Sequence, residues 1–261
     1  MTDRITSKDN RLVKDIHKLM LSAKTRKLQK CFVTEGLRLC RDAALSGAEI
    51  KYFLYTQAAE KNSPQDISFI AERSDKCYEV SDDVFEKITD TRTPQGLLCV
   101  VKMNDKQIME SLEKGFRYIG LEKIQDPSNL GTILRTAEAL GADGVIMSSD
   151  CCDIYSPKVV RGSMGAVFRL PYMIVDDMPA KIGQWRKEGF ESYGSTPKNA
   201  ESLNDIDFSA GGIMLIGNEG NGLSDDTLGI CSKRVMIPMK GRAESLNASA
   251  AAAILMYRFV C

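Results

Sequence analysis

The stretch LIGNEGNGLS, residues Leu215–Ser224, places a carboxylate inside a glycine-rich loop. It follows an apolar run and holds Gly217, Gly220 and Gly222 within six positions. Glycine turns after a strand let backbone N–H groups close on a phosphate. Glu219 would repel a phosphate, and the order G-x-x-G-x-G, late in the chain, differs from the G-x-G-x-x-G of dinucleotide-binding folds. The loop therefore favours a neutral or cationic ligand, with a plain tight turn as the structural alternative.

A second stretch, IPMKGRAESLNASAAAAILMYRF at Ile237–Phe259, combines a polar turn with small side chains. Pro238 ends a predicted strand, and Ser245 and Asn247 precede the last predicted helix. Polar side chains and free backbone N–H groups converge at such a helix start. The alanines that follow allow a backbone or a ligand to approach closely. Plain packing of that helix is the alternative.

A third stretch, DPSNLGTILRTAEALGADG at Asp126–Gly144, follows another predicted strand. Asn129 is predicted at the start of a helix, where asparagine accepts hydrogen bonds from free N–H groups. Arg135 lies six residues further on and points away from the apolar stripe of that helix, within reach of the turn. An exposed helix arginine without a special role is the alternative.

Apolar runs alternate with helical patterns along the whole chain, which predicts an α/β fold with a mostly parallel sheet. Ligands of such sheets bind beyond the carboxyl ends of the strands, where all three stretches lie. A polar segment, 102–114, interrupts the alternation and marks a domain boundary. The predicted helices are 7–27, 36–46, 66–73, 82–88, 129–140, 157–162, 179–187 and 247–259. The predicted strands are 31–34, 50–55, 77–80, 97–101, 117–121, 144–147, 190–193, 212–216 and 234–237.

Composition narrows the class of protein. Of the 261 residues, 43% are hydrophobic and 27% are charged, as in soluble globular proteins. No apolar run approaches the ~20 residues that span a bilayer, and the first residues do not resemble a secretory signal, so we expect no membrane partner and a cytoplasmic location. The eight cysteines form no C-x-x-C pair and His17 is the single histidine, which argues against a bound metal.

Charge is unevenly distributed along the chain. Residues 1–41 hold eleven basic and four acidic side chains, a net charge of +7, so the rest of a chain with zero net charge carries −7. This asymmetry predicts a polyanion partner for the N-terminal part. A solvated helix face explains the same charge count equally well.

Together the three stretches resemble the SpoU (TrmH) group of the SPOUT RNA methyltransferases, with matching order and spacing over Arg117–Phe259. The segment KVVRGSMGAVFRLP, Lys158–Pro171, is similar to the link between the family's first two motifs. The N-terminal half resembles its L30e-like domain more loosely. The resemblance implies an L30e-like α/β RNA substrate-binding domain at 1–104, a linker at 105–115 and a SPOUT methyltransferase domain at 116–261. The sheet of the last domain would be tied in a trefoil knot.

The resemblance also implies that S-adenosylmethionine is the cofactor. The implied reaction is methyl transfer to a ribose 2′-hydroxyl of RNA, and ribosomal RNA is the expected substrate. Arg135 would activate the hydroxyl, anchor the adjoining phosphate or stabilise the developing alkoxide, and Asn129 would orient it. The positions matching family active-site residues are Arg135, Asn129, Glu219, Ser245 and Asn247. The positions matching cofactor contacts are Gly217, Ile237, Leu246, Thr196, Asn218, Gly220 and Met239.

Further expectations concern partners and rival functions. The resemblance implies a homodimer through the C-terminal domain, with the last helix and Ile254, Leu255 and Met256 as interface elements. RNA would bind through the basic N-terminal domain. A tRNA 2′-O-methyltransferase or a catalytically silent RNA-binding protein of the same fold remains possible. A nicotinamide-dependent oxidoreductase or an ordinary Rossmann-type methyltransferase needs an early glycine loop and a following acid, which Cys31–Ser46 lacks.

Overall fold

The computed structural model describes residues 3–103, 109 and 111–261, and the chain forms two compact units. The first unit consists of Met1–Asp105 and Asp153–Phe168, and the second of Lys106–Cys152 and Arg169–Cys261. The predicted linker, 105–115, falls partly outside the described residues. Among the described helices, none is long and apolar enough to cross a membrane.

The first unit is built on a mixed five-stranded sheet. Its strands are β1 (Asp3–Ile5), β2 (Cys31–Glu35), β3 (Ile50–Thr56), β4 (Cys77–Val80) and β5 (Leu97–Lys102). They lie in the order β1-β4-β3-β5-β2, with β5 antiparallel to both neighbours and the other pairs parallel. The four strands predicted here agree within one residue at each end, whereas β1 was not predicted. The helices before residue 104 are α1 (Arg11–Leu21), α2 (Ala23–Gln29), α3 (Leu37–Leu45), α4 (Gln57–Asn62), α5 (Pro64–Ala71) and α6 (Asp82–Ile88).

The single helix predicted at 7–27 is wrong, because Ser22 interrupts it. Its backbone is extended, with φ −122° and ψ 113°, so the chain ends α1 and starts α2 at this residue. The Ser22 side chain accepts a hydrogen bond from the N–H of Thr25 at 3.2 Å and thereby caps α2. The buried apolar stripe ends at Met20 within α1, and Arg26 is the only buried residue of α2.

The second unit is built on a seven-stranded sheet in which every strand pairing is parallel. Its strands are β6 (Arg117–Leu121), β7 (Gly144–Ser148), β8 (Tyr172–Val175), β9 (Ser192–Ser195), β10 (Glu201–Ser202), β11 (Gly212–Ile216) and β12 (Lys233–Met236). They lie in the order β10-β12-β9-β11-β6-β7-β8. The remaining helices are α7 (Pro127–Leu140), α8 (Pro157–Ser163, in the first unit), α9 (Met178–Lys187), α10 (Asp225–Ile230) and α11 (Ala248–Val260).

This strand order brings the three sequence stretches to one edge of the sheet. β11 pairs with β6 on one side and with β9 on the other, and β12 follows β9. The loops that leave these four parallel strands therefore start side by side. The short elements β8, β10 and α10 were not predicted, because each spans six residues or fewer and offers too little periodicity.

The segment 153–168, which the sequence placed in the second domain, packs within the first unit. Asp153 accepts a hydrogen bond from the guanidinium of Arg26 at 2.7 Å, and both side chains are almost entirely buried. The ring of Phe32 lies 4.4 Å from that of Tyr155 and 6.0 Å from that of Phe168. These contacts join residues over a hundred positions apart, so no local pattern could have indicated them.

Candidate active site

A cavity of about 270 Å³ lies at the carboxyl ends of β9, β11 and β12. Its volume is close to the lower end of small-molecule sites, ~300–1,000 Å³. Glu219 and Ser245 also line it, whereas Asn129, Asn247 and Arg135 do not. All seven positions matched to cofactor contacts line this cavity: Thr196, Gly217, Asn218, Gly220, Ile237, Met239 and Leu246.

The glycine loop is a closed hairpin rather than an open cradle. The N–H groups of Asn218 and Gly222 each donate to the carbonyl of the other at 3.0 Å. The side chain of Asn218 accepts from the N–H groups of Gly220 and Asn221 at 2.9 and 3.2 Å. Four N–H groups that a phosphate site would need are thus already bonded within the loop, which agrees with a ligand other than a phosphate.

Gly217 is required by a close backbone approach. A Cβ atom there would lie 2.1 Å from the carbonyl carbon of Gly222 and from the nitrogen of Leu223. Gly222 has φ +69° with open space around it, and Gly220 has neither constraint. Glycine is therefore required at Gly217 by a close contact and favoured at Gly222 by the backbone conformation, whereas the geometry imposes no requirement at Gly220.

Glu219 ties this loop to the start of α7. Its Oε1 accepts from the amide of Asn129 at 3.0 Å and from the N–H of Asp126 at 3.2 Å. Its Oε2 accepts from the N–H of Gln125 at 3.3 Å. Burial by itself would raise the pKa of Glu219, but the hydrogen bonds from Asn129 and from these backbone groups outweigh it and lower the pKa below its ordinary value. Glu219 is therefore held as a carboxylate.

Asn129 is not the helix cap that the sequence predicted. Asp126 caps α7 by accepting from the N–H groups of Ser128 and Asn129 at 2.6 and 3.3 Å. The Asn129 amide is thereby free to donate to Glu219 and to accept from the amide of Asn247 at 3.1 Å. It links the glycine loop to the last helix.

Asn247 completes this chain of contacts as the cap of α11. Its oxygen accepts from the N–H groups of Ser249 and Ala250 at 2.9 and 3.3 Å and from the Ser249 hydroxyl at 2.6 Å. Its nitrogen donates to Asn129. Glu219, Asn129 and Asn247, which belong to three separate sequence stretches, are thus joined by two side-chain hydrogen bonds.

Arg135 lies on the exposed side of α7. Within the described residues it makes no hydrogen bond or ion pair. The Asn129 side chain, which was expected to orient it, bonds to Glu219 and Asn247, and that expected role stays a prediction. A guanidinium without an internal partner can bind a phosphate or an alkoxide without first losing a contact.

Sequence reasoning missed Glu122, a carboxylate only 3% exposed that directly follows β6. It accepts from the N–H and the hydroxyl of Ser224 at 2.9 and 2.8 Å and from the Thr227 hydroxyl at 2.9 Å. It fixes the chain where the glycine loop ends and α10 begins. The sequence signal that could have identified Glu122 is an acidic residue at the end of an apolar strand together with a distant Ser-x-x-Thr at the start of a helix.

The basic N-terminal segment carries less free charge than its sequence indicates. Arg26 is buried against Asp153, and Arg4 and Arg41 pair with carboxylates outside the segment. Among the ion pairs of the described residues, Arg4, Arg26 and Arg41 use carboxylates outside 1–41, and Arg11, Lys14 and Lys18 use Asp9 or Asp15 within it. The count of +7 therefore overstates what this segment offers to a polyanion.

Comparison with known proteins identifies the family of this site. Residues 117–257 match the SpoU rRNA Methylase family, and residues 10–99 match the MRM3-like substrate binding domain. The chain is 33% identical over 254 residues to the 23S rRNA (guanosine(2553)-2′-O)-methyltransferase RlmP of Bacillus subtilis, covering 97% of this chain and 98% of that protein. It is 30% identical to a 23S rRNA (uridine(2479)-2′-O)-methyltransferase of Streptomyces viridochromogenes, covering 88% and 82%.

Solved structures share the fold over nearly all of the chain. The AdoMet-bound rRNA methyltransferase of Sinorhizobium meliloti superimposes with a TM-score of 0.84 at 30% identity, covering 98% of this chain and 97% of that one. The SpoU methyltransferase AviRb of Streptomyces viridochromogenes, in complex with AdoMet, gives 0.82 at 28% identity, covering 96% and 98%. These likenesses confirm the predicted SPOUT-type fold with a preceding substrate-binding domain, and the chain belongs to the SpoU rRNA methylase family.

Proposed function

We propose that this protein transfers the methyl group of S-adenosylmethionine to a ribose 2′-hydroxyl of ribosomal RNA. The observation that carries the proposal is the cavity at the carboxyl ends of β9, β11 and β12, lined by all seven positions expected to hold the cofactor. At its edge, side-chain hydrogen bonds join Glu219, Asn129 and Asn247. The relatives' activity on 23S rRNA and the match to a substrate-binding domain favour ribosomal RNA over tRNA.

The residues of the cavity fit a sulfonium nucleoside. Met239 and Leu246 expose 40% and 38% of their surface here, which offers apolar contact to a purine ring. The N–H groups of the hairpin are already hydrogen-bonded within the loop, so they do not offer a phosphate site. The Glu219 carboxylate among the lining residues favours a cationic ligand. When bound, S-adenosylmethionine supplies a methyl carbon that is already electrophilic, so the chain must supply position and charge.

Arg135 is assigned to the acceptor side of the reaction. We assign it the role of a cation and not of a base, because arginine side chains are not deprotonated in proteins. We assign it to anchor the phosphate beside the acceptor ribose or to stabilise the alkoxide that develops during transfer. Asn129, Glu219 and Asn247 hold the surrounding segments in place, and Ser245 lines the cavity.

We further propose a homodimer that uses the outer face of α11. Ile254 and Tyr257, one turn apart, expose 42% and 66% of their surface. Leu255 and Met256, which were expected at the interface, are buried within their own chain at 1% and 0% exposure, so they belong to the core instead. The domain roles, RNA binding by residues 1–104 and methyl transfer by 116–261, and a cytoplasmic location remain predictions.

Two measurements test the function. Calorimetric titration should show binding of S-adenosylmethionine and none of NADH. Incubation with tritiated S-adenosylmethionine and total RNA should label ribosomal RNA, and mapping of 2′-O-methyl marks should locate one acceptor nucleotide. Label found on tRNA instead of ribosomal RNA would show that the substrate is tRNA. RNA binding without methyl transfer would indicate a catalytically silent RNA-binding protein. Absence of S-adenosylmethionine binding would overturn the proposal.

A further inference from the structure

Lys123 adopts a backbone conformation that lysine rarely takes. It is one of four non-glycine residues with positive φ in the described part of the chain. Lys30 and Met164 end helices α2 and α8, where a left-handed residue satisfies the last carbonyl groups. Asn199 is of a type that tolerates this region in turns. Lys123, with φ +57°, has neither explanation.

Neighbouring segments fix the Lys123 backbone in this conformation. Its N–H donates to the hydroxyl of Ser148, at the end of β7, at 2.9 Å. Its carbonyl accepts from the amide of Asn218, in the glycine hairpin, at 2.8 Å. Glycine would occupy the same conformation without strain, so the backbone alone gives no reason for a lysine here. The side chain is what distinguishes this residue.

The Lys123 amine is exposed and weakly paired. Its side chain is 54% exposed, and the nearest carboxylate, Asp150, lies 4.0 Å away. The other oxygen of Asp150 already accepts from the hydroxyl of Ser148 at 2.5 Å. The amine therefore has donors available, and it belongs to a residue whose carbonyl contacts Asn218, which lines the cavity.

The negative charges of nearby carboxylates suggest a role for the Lys123 amine. Glu219, a carboxylate that lines the cavity, and Asp150, half exposed beside Lys123, both repel an approaching RNA backbone. The Lys123 cation, 4.0 Å from Asp150, offsets part of this repulsion and offers a direct contact to a phosphate oxygen. Lysine serves as a point charge for this contact, without fixed geometry.

We propose that Lys123 binds a backbone phosphate of the substrate RNA next to the acceptor nucleotide, which makes it a substrate-positioning residue of this site. The inference rests on the function proposed above. It predicts that removal of the amine raises the KM for RNA and leaves both kcat and cofactor affinity nearly unchanged. It also predicts that arginine can replace lysine, since either cation binds phosphate.

The test compares Lys123→Gly, Lys123→Arg and, as a matched removal of one exposed charge, Lys187→Ala on α9. Lys123→Gly preserves the left-handed conformation, so it should keep the wild-type midpoint of thermal unfolding or raise it. We expect its KM for RNA to rise about tenfold and the salt slope of log affinity to fall by about 0.7–0.9, the effect of one lost phosphate contact. Lys123→Arg and Lys187→Ala should remain within about twofold of wild type in KM.

Three results would overturn the inference. A Lys123→Gly variant with wild-type KM and salt slope would show that the amine contacts no phosphate. A lowered unfolding midpoint with weaker cofactor binding would show a structural role instead. Wild-type protein that binds S-adenosylmethionine but methylates no RNA would overturn the proposed function itself, which separates that failure from failure of the Lys123 contact.

Discussion

The sequence predicted a binding role for both the glycine hairpin 217–222 and the basic segment 1–41, but the two regions differ in the structure. Each position of the hairpin region that was assigned to the cofactor lines one cavity. In the described part of the basic segment, Arg4, Arg26 and Arg41 pair with carboxylates from outside it, and Arg26 is buried. A motif with fixed spacing indicated a place in the fold, whereas a sum of charges did not.

The difference has a physical cause. The hairpin follows a strand directly, so backbone geometry carries its residues to the sheet edge together. Charges along 1–41 are neutralised by residues far away in sequence: Glu79, Asp153 and Asp66. Such pairing depends on tertiary structure, and a local count cannot include it. The experiments below test both halves of this comparison.

The largest effect is expected for Arg135→Ala. Loss of the guanidinium should lower the rate of methyl transfer about 10²–10³-fold, the magnitude of removing one group that stabilises transition-state charge. Cofactor affinity should stay within about twofold, because Arg135 does not line the cavity. Single-turnover rates and calorimetry measure the two quantities. Near-normal turnover would remove Arg135 from the site, and partial rescue in Arg135→Lys would support an electrostatic role.

Gly217→Ala should abolish measurable cofactor binding, a loss of about 100-fold or more. Its Cβ would meet the backbone at Gly222 and Leu223, which cannot move without opening the hairpin. Gly220→Ala is the matched control, because a Cβ there meets only the Asn218 side chain, at 3.5 Å. Calorimetric titration of both variants is the measurement. Equal affinity in the two would contradict the assigned role of the hairpin.

These glycines also show how far sequence reasoning reached. The strand before the hairpin follows from its apolar pattern, and the cavity-lining positions follow from the family resemblance of the motif. The pairing of Glu219 with Asn129, the burial of Glu122 and the cap at Asp126 do not. The first two depend on packing between residues about 90 to 100 positions apart, whereas the cap at Asp126 is a local choice between neighbouring polar side chains.

Glu219→Gln should weaken cofactor binding about tenfold. The neutral side chain can still accept from Asn129, but its NH₂ group would face the N–H of Gln125 and lose that hydrogen bond. A loss of this size corresponds to about one net hydrogen bond. Unchanged affinity would show that the loop holds its shape without the carboxylate.

The pKa of Glu219 gives the same contact a pH dependence. The pKa of Glu219 is lowered in the folded state. The stabilisation that its carboxylate gives the loop is therefore fully present above the ordinary carboxyl pKa of ~4.3 and is lost as pH falls through the lower folded value. Wild-type affinity for the cofactor should therefore stay constant from pH 7 to pH 5, as measured by calorimetry. A decline within that range would contradict the lowered pKa.

The smallest effects separate free from paired cations in the basic segment. Lys24 and Lys27 of α2 have no carboxylate partner within the described residues, whereas Lys14 and Lys18 pair with Asp9 and Asp15. If RNA binds here, Lys24→Ala/Lys27→Ala should reduce the salt slope of log affinity by about 1.4–1.8, which corresponds to two phosphate contacts.

The paired lysines provide the control for that experiment. Lys14→Ala/Lys18→Ala removes the same formal charge, but each lysine already interacts with a neighbouring acid, so the slope should change by less than about half as much. Filter-binding measurements on the mapped RNA fragment across a salt series give both slopes. Equal slopes in the two double variants would show that net charge alone governs binding, and the distinction between free and paired cations would fail.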